Sequence, residues 1–272
     1  MECNRILWDS DPMLYAPWLR TKIAKGRGIG VGKDYLPWIK TRDIRSRGTS
    51  AQIQSMRFQR VFHLLSNLET TYFYILERDF SVIDIREQFP ILSLPETIEI
   101  ALNLGVKHPY KNGKLEPFTI DFLLTIETPE GIKFVARSIK TPEDSNVPSI
   151  RLRLKVEEIW CNRYQIEWKL VDTTSFTPDM LRTLRSIRGW YRSDLTIDEH
   201  YANDFANAFL DCYESNVPLH RLLKKTNRKI SADSAQAYNW FNYCAWSKKI
   251  PLSLQSISTL ADVVVLNRYE KN

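Results

Sequence analysis

A predicted β-hairpin brings one aspartate and one lysine onto a common surface. The turn Thr128–Gly131 joins two extended segments, and pairing Glu127 with Ile132 makes Lys140 the diagonal neighbour of Asp121 on one face. The apolar residues of the first strand alternate to the opposite face, which is typical of a half-buried sheet (Phe118, Ile120, Phe122, Leu124). An ion pair across the hairpin, worth about 0.2–1 kcal/mol, explains the pattern without any chemistry. Taken alone, the pattern favours this ion pair over a reaction site.

Glu69 is a second carboxylate in an unusual place. The segment Ser66–Arg78 reads as a helix that opens with a capping box, with Ser66 as N-cap and Glu69 three residues later. Glu69 also lies on an apolar stripe of that helix (Leu65, Tyr72, Phe73, Leu76). Two interpretations stay open. The capping box can satisfy the carboxylate, or a hard divalent cation can bind Glu69 and Asp121 together and accept phosphate oxygens as well.

The elements that must position these residues predict a mixed α/β part over residues 1–175. Further predicted elements are a strand at 82–85, strands at 118–127 and 133–140, a helix at 148–164, a strand at 167–172 and a helix at 177–190. Glu157 and Glu158 on the 148–164 helix are expected on a solvated face.

Residues 176–272 are predicted to be rich in helix. Helices at 198–215, 218–226 and 231–246 precede two short extended pieces at 250–254 and 262–266, an order that suggests a winged helix-turn-helix. In the third helix, Asn239 and Asn242 fall opposite the apolar face, where their amides could read bases. A plain helical interaction domain is the alternative.

Composition limits the class of protein. The chain has 272 residues, 43% hydrophobic and 26% charged, which indicates a globular protein and excludes disorder as its main state. We find no apolar run of membrane-spanning length and no leader pattern, and therefore expect a cytoplasmic protein without a membrane partner. The four cysteines are far apart, so neither a disulfide framework nor a zinc site is predicted.

Positive charge is concentrated in two segments. Residues 20–60 contain eleven basic residues and two acidic ones, and their glycine string fails the P-loop pattern because Arg27 and Asp34 stand where Gly and Ser or Thr are needed. We predict a flexible basic arm facing DNA phosphates, with five candidate contacts (Arg27, Lys33, Lys40, Arg57, Arg60). The segment 220–229 adds two more, Lys224 and Lys225. A solvated basic face is the alternative for the first segment. Docking of a protein partner in place of DNA is the alternative for either of the two segments.

An acid on a helix, an aspartate on a strand and a lysine after the hairpin are the arrangement of restriction-endonuclease-like nucleases. Over residues 20–172 the sequence resembles the TnsA family, the endonuclease subunits of heteromeric transposases of Tn7-like elements. The matching motifs follow the family's order and spacing: Gly26–Gly30, Asp34–Trp38, His63–Glu69, Asp84–Pro90, Gly105–Pro109, Thr119–Phe122 and Ser138–Lys140.

The resemblance implies a fold, a cofactor and roles for particular residues. It implies a restriction-endonuclease-like domain at 1–175, with a mixed sheet flanked by helices, followed by a winged-helix-like DNA- or partner-binding domain at 176–272. Glu69 and Asp121 would bind magnesium, two ions per site, and the Ile139 carbonyl would complete the shell. Lys140 would orient the attacking water or stabilise charge on the phosphate. Ser138 stands where the family has an amide side chain.

The function implied is magnesium-dependent cleavage of the 5′ ends of a transposon. The implied partners are double-stranded DNA of the transposon ends, a TnsB-type recombinase that cuts the 3′ ends, and an ATP-dependent TnsC-type regulator. Two alternatives differ in class: a stand-alone restriction or repair nuclease, and a non-catalytic DNA-binding assembly protein with a decayed nuclease core. The presence of Glu69, Asp121 and Lys140 argues against decay.

Overall fold

The computed structural model describes residues 11–43, 49–230, 235–256 and 259–267. The chain divides into two compact units, Met1–Ser175 and Phe176–Asn272.

Helices and a mixed sheet make up the first unit. In chain order its elements are α1 (Pro17–Ala24), β1 (Ala51–Ser55), β2 (Arg60–Leu64), α2 (Asn67–Glu77), β3 (Val82–Pro90), α3 (Leu94–Asn103), β4 (Tyr110–Lys111), β5 (Lys114–Leu115), β6 (Thr119–Thr128), β7 (Gly131–Ile139), α4 (Pro142–Asn146), α5 (Pro148–Arg163) and β8 (Glu167–Val171). Among the described residues, sequence reasoning missed α1, α3, α4, the β1–β2 hairpin and the β4–β5 hairpin.

The main sheet has four strands in the order β3-β6-β7-β8. The first two pairings are antiparallel and β7–β8 is parallel, which makes the sheet mixed. Glu127 pairs with Ile132, so the register predicted from the turn is confirmed. The parallel strand β8 is reached through α4 and α5, as a parallel connection requires.

Helices cover both faces of the sheet. Leu123 and Ala136, paired neighbours on β6 and β7, share one core cluster with Ile100 of α3 and Trp160 of α5. On the opposite face of β6, the Phe122 ring contacts the Tyr72 ring of α2 at a centroid distance of 5.6 Å. The half-buried sheet expected from the alternation is therefore wrong, because Leu123 is as buried as its neighbours.

The basic segment that we predicted as a flexible arm is packed where the structure describes it. Tyr35 and Trp38 are 1% and 2% exposed, and Tyr35 donates a hydrogen bond to the Glu87 carbonyl. Gly28 has a φ of +71°, and a Cβ there would lie 2.3 Å from the Pro90 side chain. The backbone at Gly28 therefore lies so close to β3 that a residue with a side chain would not fit at this position. This segment belongs to the core of the first unit.

The second unit contains α6 (Pro178–Ile187), α7 (Glu199–Cys212), α8 (Leu219–Ile230) and α9 (Ala237–Trp246). Phe209 of α7 and Phe241 of α9 pack at 5.1 Å between ring centroids. In place of the predicted terminal strands, the described residues pair only at isolated bridges, one of which joins Leu252 to Leu266. Within the described ranges, no helix has the length and apolar character needed to cross a membrane.

Candidate active site

The N-terminus of α2 positions Glu69. The Ser66 hydroxyl accepts a hydrogen bond from the Glu69 N–H and donates one to Glu69 Oε1 at 3.0 Å, so the predicted cap is present. Glu69 Oε2 accepts from the Leu65 N–H at 2.9 Å and from Gln88 Nε2 at 3.2 Å. Both carboxylate oxygens are therefore held in place, and helix capping alone accounts for part of that order.

Electrostatics nevertheless sets Glu69 apart from a simple cap. Burial, and next the nearby charge of Asp121, raise the pKa of its carboxyl to about 7, while hydrogen bonds from Leu65 and Ser66 oppose the shift. A carboxyl group titrating near neutrality beside a second carboxylate is a frequent property of functional sites.

The β6–β7 hairpin brings Asp121 and Lys140 together. Asp121 Oδ2 accepts a hydrogen bond from the Ile139 N–H at 2.7 Å and from Lys140 Nζ at 2.9 Å. Lys140 Nζ also donates to the Ile139 carbonyl at 2.8 Å. Burial would lower the pKa of Lys140, but the charges of Asp121 and Glu157 outweigh it and raise that pKa. The Lys140 amine therefore stays protonated and positively charged at neutral pH.

Glu157 of α5 lies beneath this group, although we expected it on a solvated face, and that expectation is wrong. The carboxylate is 7% exposed and accepts a hydrogen bond from the Ser138 hydroxyl at 2.5 Å. Burial raises its pKa to about 7, with Asp121 adding to the shift. The spacing of the sequence could have indicated this burial. Glu157 lies three residues after buried Leu154 and four before buried Cys161, and therefore on the apolar side of the helix.

Ser138 is fully occupied inside the unit. Its hydroxyl donates to Glu157 and accepts from Trp168 Nε1 at 3.2 Å, and the residue is buried.

Gln88 is a second neighbour of the site that sequence reasoning missed. Its φ of +49° is rare for a residue with a Cβ, and its amide reaches Glu69. The sequence contains no signal for this backbone conformation.

The donor atoms here suit a hard divalent cation. Glu69 and Asp121 supply carboxylate oxygens, and Ile139 supplies a backbone carbonyl. In this structure the Lys140 ammonium bridges Asp121 Oδ2 and the Ile139 oxygen, the two oxygens that the resemblance assigns to a metal. A cationic group thus already binds there. Over the described ranges, no cluster of three or more His, Cys, Asp or Glu side chains forms a metal site, so a metal would rely on two carboxylates and the carbonyl.

Three of the predicted DNA contacts in the basic segment are used within the fold. Arg60 is 7% exposed and ion-paired with Glu87, so its prediction as a DNA contact is wrong. Arg57 donates to four backbone carbonyls (Glu77, Asp79, Phe80, Val82). Arg27 Nη1 donates to the Trp38 carbonyl and to Asp43. These arginines join separate segments of the first unit to one another.

The two lysines of the same segment differ from the arginines. Lys33 is exposed, whereas Lys40 is half-buried. Burial lowers the pKa of Lys40, and the charges of Arg27 and Arg42 lower it further. A DNA contact stays a prediction for both.

In the second unit, the predicted base-reading amides are placed differently from expectation. Asn242 is 2% exposed, so its prediction as a base contact is wrong. Its position on α9 faces the core because α9 is covered on nearly all sides. Asn239 Nδ2 donates to Gln236 Oε1 at 2.8 Å. Lys224 and Lys225 are exposed, and Lys225 pairs with Glu214 at 2.7 Å. The surface lysines keep their predicted role as candidates.

Comparison with known proteins agrees with the resemblance. Residues 79–173 match a family model described as the TnsA-like endonuclease N-terminal domain. The transposition protein TnsA of transposon Tn7 from Escherichia coli is 36% identical over 157 residues, which cover 58% of this chain and 57% of that protein. The chain therefore spans little more than half the length of this relative. Both matches confirm the predicted similarity to TnsA.

Proposed function

Because residues 79–173 match the family model of the TnsA-like endonuclease N-terminal domain, we propose that this chain cleaves the 5′ ends of a transposon as one subunit of a heteromeric transposase. The observation that carries the proposal is the meeting of Glu69, Asp121 and Lys140 at one end of the sheet. The carbonyl of Ile139 is part of the same group. Two carboxylates and a lysine suit phosphodiester hydrolysis, in which charge develops on phosphate oxygens.

Glu69, Asp121 and the Ile139 carbonyl would hold Mg²⁺, two ions per site by resemblance to the family. When bound, the metal would lower the pKa of a water molecule and offset charge on the attacking and leaving oxygens. The protein's part is to keep these oxygen donors in register. The hairpin does so for Asp121 and Ile139, and the cap of α2 does so for Glu69.

Lys140 would act on the phosphate and on the attacking water. Its ammonium is a compact point charge that can stabilise a phosphoryl oxygen as negative charge develops there. The charges of Asp121 and Glu157 keep it protonated, so it is a fixed cation and a poor base. Glu157 and Ser138 lie behind it and hold the β7 end of the site against α5.

The second unit would bind DNA or a protein partner as a winged-helix-like domain. Support comes from the helices α7 to α9 and from the backbone pairing that follows them, where the Ser253 N–H donates to the Val265 carbonyl and the Asn267 N–H to the Pro251 carbonyl. In this proposal, the paired segments would form the wing. Lys224 and Lys225 would contact phosphates.

The proposed partners follow the family. A TnsB-type recombinase would cut the 3′ ends, and a TnsC-type ATP-dependent regulator would license the reaction. Double-stranded DNA of the transposon ends would be the substrate.

Strand-specific mapping tests the proposal. Duplexes containing a transposon end, labelled on either strand, are incubated with this chain in Mg²⁺, with and without the partner recombinase. We expect 5′-strand cleavage only when the partner is present. Cutting by the chain alone would favour a stand-alone nuclease, and DNA binding without cutting under either condition would favour a non-catalytic assembly protein.

A further inference from the structure

A second basic surface lies between the loop 105–110 and the first turns of α5. We call it the basic groove. It has a volume of about 490 Å³, and its polar lining residues are Lys107, His108, Tyr110, Ser149 and Arg153. The segments 105–114 and 147–155 that border it contain five lysines and arginines beside Lys155, and no acidic residue. Sequence reasoning matched Gly105–Pro109 to a family motif but assigned no DNA contact here.

The aromatic ring of Phe118 fixes the wall of the basic groove. His108 packs edge-on against it at 4.8 Å, and the Arg153 guanidinium lies over it at 5.6 Å. His108 Nε2 is also 3.0 Å from Thr97 Oγ1. Burial lowers the pKa of His108, so the imidazole is neutral at pH 7 and the positive charge of the groove comes from Lys107 and Arg153. The groove is a preformed feature of the first unit.

Within the described residues, five cations around the basic groove have no counter-charge. In the described part of the chain, five basic residues here form no ion pair: Lys107, Lys111, Lys114, Arg151 and Arg153. In the basic segment 20–60, by contrast, Arg27 and Arg60 are ion-paired. Cations without a counter-charge are available to a ligand.

The β4–β5 hairpin places two of these lysines directly opposite each other. Asn112 and Gly113 both adopt left-handed backbone conformations, with φ of +50° and +78°, which makes a tight turn. The turn pairs Lys111 with Lys114, and both side chains are exposed. Like charges at directly paired positions repel each other and destabilise a hairpin. A bound anion would remove that penalty.

A series of adjoining surface depressions leads from the basic groove to Lys140. A surface depression lined by Lys140, Ser145 and Leu170 adjoins a larger one that shares Ser145 and Leu170. The larger depression includes Arg151 and Leu152, and Leu152 also lines the basic groove. A path along α4 and the start of α5 thus connects the catalytic lysine to the unpaired cations.

We propose that the basic groove and the β4–β5 hairpin bind the sugar-phosphate backbone of the DNA duplex next to the cleaved bond. The proposal rests on the proposed function, since it assigns where that substrate lies. A duplex backbone is a regular row of anions, and several separated cations along one path that ends at Lys140 match it. Phosphate contacts of this kind position the substrate without reading its sequence.

The test compares two triple variants of the full chain. The first is Lys107→Gln/Lys111→Gln/Lys114→Gln. The matched control is Lys133→Gln/Arg163→Gln/Lys169→Gln, which removes the same charge from exposed basic residues elsewhere in the first unit. Binding to a transposon-end duplex is measured by fluorescence anisotropy in EDTA over a range of salt concentrations. A third variant, Arg153→Gln, tests the groove wall.

We expect the first triple variant to lose more than about tenfold in affinity and to flatten the log–log salt dependence by about three units, roughly 0.9 per phosphate contact. The control variant should change the slope by less than the roughly 0.9 units expected for one phosphate contact. Arg153→Gln should flatten it by about one unit. A first triple variant with the wild-type slope would overturn the proposal, and so would one that keeps DNA binding but loses the recombinase. Since EDTA stops cleavage, a failed nuclease assignment would leave this binding result unchanged.

Discussion

Two ion pairs in the first unit are built in different ways. Arg60 and Glu87 meet through two hydrogen bonds, of 3.0 and 2.6 Å, and their side chains are 6% and 0% exposed. Lys140 and Asp121 meet through one, and their side chains are 31% and 13% exposed. Glu87 also accepts from the His63 N–H, whereas Asp121 faces a second carboxylate in Glu69.

We infer from this difference that the Arg60–Glu87 pair stabilises the fold, whereas the Lys140–Asp121 pair is available to take part in a reaction. The Arg60–Glu87 pair links β2 to β3 and has its geometry closed by backbone partners, including the Ile85 carbonyl. The Lys140–Asp121 pair leaves part of each group open to solvent and carries unbalanced negative charge from Glu69. Breaking a buried pair such as Arg60–Glu87 should lower the free energy of unfolding. Breaking a partly exposed pair such as Lys140–Asp121 should instead lower the reaction rate.

The largest expected effect is on cleavage. Asp121→Asn should reduce the 5′-strand cleavage rate about 10⁴-fold or more, because it removes a charge needed in the transition state. The amide oxygen can still accept from the Ile139 N–H, so the fold should stay intact. Cleavage is measured on transposon-end DNA with the partner recombinase. Glu143→Gln, an exposed carboxylate close to Lys140, is the control and should cut normally. A wild-type rate for Asp121→Asn would show that the site is elsewhere.

Breaking the structural pair should affect stability. Arg60→Met leaves Glu87 buried without its counter-charge, which should cost about 3–5 kcal/mol in the free energy of unfolding of the first unit. Native-state hydrogen exchange of the β2 and β3 amides measures that loss. The double variant Arg60→Met/Glu87→Gln should recover most of it, since the remaining amide can still accept from the His63 N–H. Equal losses in both variants would contradict the distinction between the two pairs.

Glu69, the buried carboxyl group beside the Lys140–Asp121 pair, should make stability fall with rising pH. The carboxyl pKa of Glu69 is about 7 in the folded protein against 4.5 in the unfolded chain, because of burial and then the charge of Asp121. The folded state thus binds more protons between these values, and the free energy of unfolding falls by roughly 3 kcal/mol from pH 4.5 to above pH 7. Urea unfolding in EDTA at several pH values measures this fall. Glu69→Gln should remove its share and leave the part from Glu157. An unchanged pH profile in Glu69→Gln would refute the assignment.

The smallest effect should come from the cap of α2. Ser66→Ala removes the acceptor for the Glu69 N–H and a donor to its carboxylate, which should cost about 1 kcal/mol. Cleavage should slow only modestly, because the Leu65 N–H and Gln88 still hold Glu69. Thr177→Ala, which removes the cap of α6 in the second unit, is the matched control. A Ser66→Ala variant without any cleavage would mean that the cap is part of the reaction site.

Local patterns explain which parts were predictable. The turn at 128–131 and the cap at Ser66 each act within a few residues, so the hairpin register and the start of α2 could be read from the sequence. Glu157 and Gln88 could not, because their positions depend on how α5 and β3 pack against distant elements. The same reason explains the error over Arg60. A count of charges does not show which cations find a partner inside the fold.

The hairpin that carries Asp121 and Lys140 also has a consequence for folding kinetics. It is the most local pairing of the main sheet, closed by a two-residue turn at Pro129–Glu130, whereas β3–β6 and β7–β8 join strands far apart in sequence. Local pairings form early because they close short loops. Half of the candidate site is then set before the sheet is complete, and α2 with Glu69 docks later. Changes at Gly131 would act mainly on the folding rate, and changes in β8 mainly on the unfolding rate.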